Sequence, residues 1–306
     1  MSAPVVLFTY NRPEHTKMTV EALSRNRGAA NTELYIFCDG PKPGHVTAAV
    51  QLVQDYASRI GSTKCFRAVH VSISEENRGL ANSIIAGVSR VLELHDEVIV
   101  LEDDLVTAAG FLEYMNEALD FFKVHRHIWS ISGYALPIEI PRNYPHDVYV
   151  TPRACSWGWG TWKDRWEKVD WAVVDYPSFQ VCRRRRMAFN RGGLDMSAML
   201  DAKMRGKIDS WAIRWCYSQF LAGALTVYPT QSYVRNSGLD GSGTHSGVST
   251  KYHAALVAGD YRTKLTLPPA NRTILRRFRN YYLHPLAYAK SAIKQIALRL
   301  LRSVQL

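Results

Sequence analysis

The chain has 306 residues, 47% of them hydrophobic, which suffices for one large packed domain or two modest ones and excludes a disordered protein. A formal charge of +11 points to anionic partners, whether nucleic acid, phosphorylated metabolites or an anionic membrane surface, without choosing among them. Five cysteines, Cys38, Cys65, Cys155, Cys182 and Cys216, are widely spaced and form no Cys-x-x-Cys pair, so they indicate neither a disulfide framework nor a zinc site and fit a reducing compartment.

The first ten residues lack a basic n-region and carry too short an apolar run for a signal peptide; the expectation is a first strand at 5–9. Pro13 pre-sets the first turn of a helix running to about residue 25. A second strand at 34–38 is closed by the turn signal Asp39-Gly-Pro41, and a helix at 46–58 and a strand at 66–72 follow. Arg78-Gly-Leu80 opens a helix to about residue 94, ahead of a fourth strand at 97–101. This alternation predicts an α/β fold with a mostly parallel sheet flanked by helices.

The fourth strand is the most informative stretch. Val98, Ile99, Val100 and Leu101 show no polar alternation, as in a strand buried on both faces, and they run directly into Glu102, Asp103 and Asp104. Carboxylates this close repel unless a cation or several donors hold them, and a hard divalent metal is the simplest partner. The alternative is a solvated acidic turn capping the helix that starts near Ala108.

Beyond residue 105 the pattern loosens. A helix is expected at 111–124, a strand at 129–132 and a helix at 209–225, with irregular, site-forming loops over 137–160 and a glycine-rich mobile loop over 236–247. The most apolar window, 211–228, is interrupted by Arg214, Ser218 and Gln219 and falls short of a membrane span. The last forty residues interleave arginine and lysine with apolar side chains. From Leu286 onward they read either as a basic amphipathic helix on a membrane surface or as a docked terminal helix with a solvated basic face. The expected organisation is therefore a catalytic domain over 1–265, with a nucleotide-binding half at 1–105 and an acceptor half at 106–265, and a basic tail over 266–306.

The carboxylate trio, followed by the helix that carries Phe111, Glu113 and Tyr114, resembles the metal motif of glycosyltransferases of the GT-A fold, most nearly the N-acetylglucosaminyltransferase I family. The resemblance covers roughly residues 4–250 and is strongest at the acidic motif. It implies that Asp104 binds manganese (or magnesium) directly, while Asp103 and Glu102 hold the ribose and the donor sugar. Tyr10 and Arg12, after the first strand, resemble the loop around uracil and phosphates. Asp39 is placed like the carboxylate that hydrogen-bonds the uracil ring, although Asp39-Gly40 could also be only a turn. Asn77 and Arg78 recur at the donor pocket of this fold, where a helix N-terminus could face phosphate. Asp209-Ser-Trp211 resembles the Asp-Asp-Trp segment whose first aspartate is the catalytic base, with Ser210 departing from the pattern; Asp209 could instead cap the helix after it. By analogy with the flexible donor loop of the fold, His245 is a candidate metal ligand. Trp157 and Trp159 could stack on sugar rings or form a packing cluster.

The resemblance thus implies a metal-dependent, inverting transferase that takes a nucleotide-diphosphate sugar, a UDP-sugar for preference. The acceptor is expected to be a saccharide or lipid-linked saccharide of a bacterial surface glycan such as lipopolysaccharide, capsule or O-antigen. The expected location is the cytoplasm, peripheral on the inner face of the plasma membrane and held there by the C-terminal basic helix. Two alternatives stay open. A sugar nucleotidyltransferase would carry a Gly-rich phosphate loop after the first strand, which Thr9-Tyr-Asn-Arg12 is not. A non-catalytic basic protein of membrane or nucleic acid is the other, but the Arg183 to Arg186 run lacks any recognisable nucleic-acid motif, so no nucleic-acid partner is expected.

Overall fold

Alternation along the central strands distributes their side chains between two cores. Val5 and Leu7 of β1 (Val5–Thr9) face one core, and Val6 and Phe8 face the other. This is the period-two geometry of a strand covered on both sides. The structure, a computed structural model, describes residues 2–44, 47–241 and 250–282. His245 and the basic segment from Leu286 onward lie outside the described residues.

In chain order β1 is followed by α1 (Pro13–Ser24), which has Pro13 in its first turn, then β2 (Glu33–Cys38), α2 (Ala48–Ile60), β3 (Ala68–Ile73), α3 (Leu80–Leu94) and β4 (Glu97–Glu102). Next come β5 (Leu105–Thr107), α4 (Phe111–Phe122), β6 (Ile128–Ser132), β7 (Val148–Thr151) and β8 (Trp159–Trp162). Five helices follow: α5 (Lys163–Trp166), α6 (Tyr176–Val181), α7 (Arg183–Phe189), α8 (Met196–Met204) and α9 (Ala212–Leu221). The last elements are β9 (Leu225–Pro229), β10 (Val234–Asn236) and α10 (Arg272–Tyr281).

Eight strands form one sheet in the order β3-β2-β1-β4-β8-β6-β9-β7. The first four are mutually parallel, β8 runs antiparallel between β4 and β6, and β7 closes the edge antiparallel to β9. This is the helix-flanked α/β sheet expected from the alternation, and it crosses the middle of the chain without a break. A separate two-stranded ribbon pairs β10 with β5, which carries the chain from the end of the sheet back across the end of β4.

Two expectations are corrected. Residues 137–160 are not all irregular, because β7 and the start of β8 lie within them and are fully buried. Gly160 lets β8 sit between β4 and α4, since a Cβ there would lie 3.0 Å from the Met115 Cε and 3.1 Å from the Val98 carbonyl. The apolar window from 211 onward is a shorter helix, α9, followed by the unforeseen strand β9. Gly223, at φ +62°, supplies the left-handed turn between them.

The compositional boundary at 266 falls inside the packed domain. Asn271 caps α10 by accepting from the Thr273 and Ile274 amides, and Ile274 and Phe278 are each 1% exposed. Phe278 packs edge-on against Tyr228 at 5.2 Å, and Tyr282 lies under the Arg153 guanidinium at 3.6 Å. Phe278→Ala is expected to lower unfolding free energy by about 3–5 kcal/mol in urea denaturation. Truncation after Thr266 should likewise give a less stable protein, because it removes the same buried ring.

Candidate active site

The parallel strands end together, and their ends supply the site. Phe8 is level with Glu102, and Thr9 with Cys38, so the residues that follow β1, β4 and β2 emerge side by side at one edge. They open into a cleft of about 380 Å³ that contains Tyr10, Arg12, Asp39, Asn77, Glu102, Asp103, Asp104, Trp157 and Asp209.

Arg12 is the centre of this arrangement. Its guanidinium pairs with Asp103 and also reaches the Asp104 Oδ2 at 3.0 Å. One guanidinium thus pairs with two of three consecutive carboxylates. Glu102 is pushed up to about 8 by its burial and by the charges of Asp104 and Asp103, against the pull of Arg12. Burial also raises Asp103, to about 6, although Arg12 and the Tyr10 amide oppose the rise. The acidic turn is therefore short of positive charge. Behind it, the Thr19 hydroxyl donates to the Asp103 carbonyl at 2.8 Å, tying the turn to α1.

The ribbon brings a second loop onto this turn. The Ser237 amide and hydroxyl both donate to the Asp104 carbonyl, at 2.8 and 3.0 Å. Gly238 rests directly on the Asp104 carboxylate, where any Cβ would overlap Oδ2 and lie 2.6 Å from the Arg12 Nη1. His15 of α1 meets Asp240 of the same loop at 3.2 Å.

Asp39 is engaged within the chain at the edge of the cleft. Its Oδ1 accepts from the Gly40 and Arg78 amides at 3.0 and 2.8 Å, and its Oδ2 accepts from the Asn77 side chain and the Gly79 amide at 3.0 and 3.1 Å. Four donors occupy the carboxylate, so it pins the 77–79 loop to the end of β2 and shapes the cleft wall. The Arg78 side chain itself is exposed and lines a smaller neighbouring cavity with Arg90, Ser72 and Ser74.

Asp209 lines the same cleft as the trio. Its Oδ2 accepts from the Ala81 amide at 3.2 Å and its Oδ1 from Lys203 at 2.9 Å. It therefore caps α3, 128 positions away in sequence, and not the helix that follows it, which starts only at Ala212. Burial acts to raise this carboxyl, but the hydrogen bonds from Lys203 and the Ala81 amide outweigh it and hold the group below its ordinary value. Gly79, at φ +77°, lets the loop turn under the carboxylate.

The two tryptophans separate. Trp157 lines the cleft, backed by Tyr134 at 4.8 Å and Tyr252 at 5.8 Å. Trp159 is 1% exposed and stacks on Trp211 at 4.7 Å in the second core, so its assignment to a sugar-binding wall is corrected to packing. The reason is that Trp159 is the first residue of β8, and strand pairing carries it into the sheet.

Several cleft residues were not anticipated. Phe8 and Phe37 stack at 5.5 Å and line it with Leu80 and Ser83; an aromatic just inside the ends of two adjacent strands was the available signal. Lys42 adds a cation from the turn after Asp39, a segment read only as punctuation. Lys203 has no signal of its own, because its pairing with Asp209 depends on how α8 packs.

Among the described residues no three His, Cys, Asp or Glu side chains converge on a point that could hold a metal ion. All five cysteines are free thiols.

No family model matches the chain, and no curated protein matches it. Among solved structures, it is similar to residues 1–349 of S. aureus TarS, with 13% identity and a TM-score of 0.41 over 76% of this chain and 60% of that one. The same protein in complex with UDP-GlcNAc matches with a TM-score of 0.40 and 13% identity, over 76% of this chain and 58% of that one. The chain thus spans less than two thirds of the structures it resembles. At this distance the likeness assigns neither activity nor substrate.

Arg12→Met, which leaves the buried carboxylates without their cation, is expected to cost about 3–5 kcal/mol of unfolding free energy in urea titrations. Lys203→Met removes a donor from Asp209 and should move that carboxyl upward. The group's stabilising contribution, present above its unfolded pKa and lost as pH falls through the folded one, would then be lost at a higher pH. Carboxyl-carbon NMR titration of both proteins reads the direction.

Proposed function

We propose that this chain is a glycosyltransferase of the GT-A type that moves a sugar from a nucleoside diphosphate donor to a saccharide hydroxyl. The observation that carries the reading is the meeting, in one cleft, of a carboxylate trio on the β4 end, two cations, an aromatic slot and a separate carboxylate, Asp209. The cleft volume, about 380 Å³, lies within the range of small-molecule sites. Kinship with N-acetylglucosaminyltransferase I rests on the acidic motif.

Each part has a task in that reaction. Phe8, Phe37 and Leu80 offer an apolar slot for a nucleobase, and Arg12 and Lys42 offer positive charge to a diphosphate. Trp157 and Leu239 provide an apolar wall for a pyranose face. Asp209 accepts the proton of the acceptor hydroxyl, the acceptor's oxygen bonds to the anomeric carbon, and the diphosphate departs with the electrons of the broken carbon–oxygen bond. Of the two carboxylates outside the trio that line the cleft among the described residues, Asp39 is occupied by four donors, and Asp209 as the single base suits one displacement with inversion.

The acidic turn fits a divalent cation, manganese or magnesium. Arg12 pairs with Asp103 and Asp104 and with no atom of Glu102, and Asp104, the last of the trio, lies against Gly238. Asp104 would hold the ion, with Asp103 and Glu102 beside it to hold the ribose and the donor sugar; because the chain offers no three-ligand cluster among its described residues, diphosphate oxygens and water would complete the shell. Bound there, the ion would neutralise charge on the departing diphosphate. The acceptor is a saccharide or lipid-linked saccharide of a bacterial surface glycan, a reading supported by the positive charge of the chain and by the resemblance of the acidic motif. No helix among the described residues is long and apolar enough to cross a membrane, which suits a peripheral protein on the inner face of the plasma membrane.

Thermal unfolding with manganese and a panel of nucleoside diphosphates tests the reading. One nucleotide should raise the melting temperature only when metal is present, and Asp104→Asn should abolish the metal-dependent part. Asp209→Asn should keep that shift while lowering sugar transfer about 10²- to 10⁴-fold. A folded protein that no nucleoside diphosphate stabilises overturns the proposal.

A further inference from the structure

The segment from 170 to 209, which no part of the proposed reaction uses except Asp209, has a distinctive pattern of charge. Each of its carboxylates is already engaged. Asp170 accepts from the amides of Ala172, Val173 and Val174, and Asp175 pairs with Arg185. Asp195 pairs with Arg153 at 2.6 Å, Asp201 with Arg186 at 2.7 Å and Asp209 with Lys203 at 2.9 Å. Asp201 also accepts from the Tyr176 hydroxyl, so one carboxylate ties α6, α7 and α8 together.

What remains is cationic. Arg183, Arg184, Arg191, Arg205 and Lys207 are exposed, and their side chains have no hydrogen-bond or ion-pair partner among the described residues. Apolar side chains stand among them. Val174 is 78% exposed, Val181 83% and Met187 63%, which puts three of the five most exposed large apolar side chains among the described residues on this one segment. Arg183, Arg184 and Met187 share the outer face of α7 by their i, i+1, i+4 spacing.

We infer that the outer face of α6, α7 and the end of α8 is a docking surface for an anionic lipid bilayer. Charge complementarity selects the partner. Guanidinium groups without an ion-pair partner attract an acidic leaflet, and exposed valine and methionine side chains on the same segment bury favourably at the headgroup boundary. A nucleic acid would use the cations but has no need of exposed valines, and no aromatic stacking platform is exposed among these residues. The chain's own C-terminal segment does not complement this face, because residues 283–306 contain lysine and arginine and no carboxylate side chain. The surface adjoins the cleft wall, since Lys203 of α8 holds Asp209 and Lys207 precedes it by two residues. A bilayer seated here would present a lipid-anchored acceptor at that wall; this last step alone rests on the transferase reading.

The test is sedimentation of the full chain with phosphatidylglycerol and with phosphatidylcholine vesicles, without substrate, so it stands apart from any result on catalysis. The wild-type protein should bind the anionic vesicles and not the neutral ones. The double variant R183Q/R184Q, which removes no hydrogen bond or ion pair among the described residues, should weaken partitioning about thirtyfold, at about fivefold per cation. R59Q/K64Q takes the same charge from exposed positions on α2 and in the loop after it and should bind as the wild type does; V181D should weaken binding without lowering the melting temperature. Failure of the wild-type protein to bind anionic vesicles, an unchanged affinity in R183Q/R184Q, or an equal loss in R59Q/K64Q overturns the inference.

Discussion

A single guanidinium placed between two consecutive aspartates holds the functional edge of this protein together. Arg12 follows β1 and Asp103 and Asp104 follow β4, so their pairing joins the ends of two adjacent parallel strands where no backbone ladder continues. The pairing is only 18% exposed at the arginine and 6% at Asp103, so water contributes little screening. One guanidinium, paired with the last two of three consecutive carboxylates, thus fixes the acidic turn at the edge of the cleft.

A second wall of the cleft is organised on the same principle. Asp39 is consumed by four donors from the 77–79 segment, which fixes the start of α3, and Asp209 reaches over to the second amide of that helix. Two carboxylates thus satisfy donors at a helix N-terminus that would otherwise be left without partners. Asp209 is also tethered by Lys203, so it has a set position and a depressed proton affinity. The C-terminal part of the fold supports the third wall. Trp157 leans on Tyr252, Tyr252 on Tyr281 and Tyr282, and α10 is fastened beneath them by Phe278. A helix that composition assigns to a separate tail therefore buttresses the cleft.

Legibility in the sequence followed how local each signal was. The strand at 5–9 and the helix opening at Pro13 needed only a run of apolar residues and a fixed φ, and both stand as read. The buried strand ending in three carboxylates was visible for the same reason. The second half was harder to read. Strand β8 carries three bulky or branched residues and a glycine, Trp159-Gly-Thr-Trp162, with no apolar alternation, and its place between β4 and β6 depends on partners that lie far away in the chain. Helices α5 to α8 are short, from four to nine residues each, which leaves little periodicity to detect. Trp157 and Trp159 looked equivalent in sequence, yet one lines the cleft and the other is packed, because strand pairing begins between them.

From the sequence alone came the parallel α/β half, the acidic strand end, and a set of polar residues clustered after strands and before helices, because these depend on periodicity and on chemistry within a few positions. Only the tertiary structure decided what those residues touch. Arg12 meets Asp103 across 91 positions and Asp209 meets the Ala81 amide across 128, and both meetings follow from strand order and helix packing. Such contacts are set by which elements become neighbours when two cores are filled at once, and no window of local sequence contains that information.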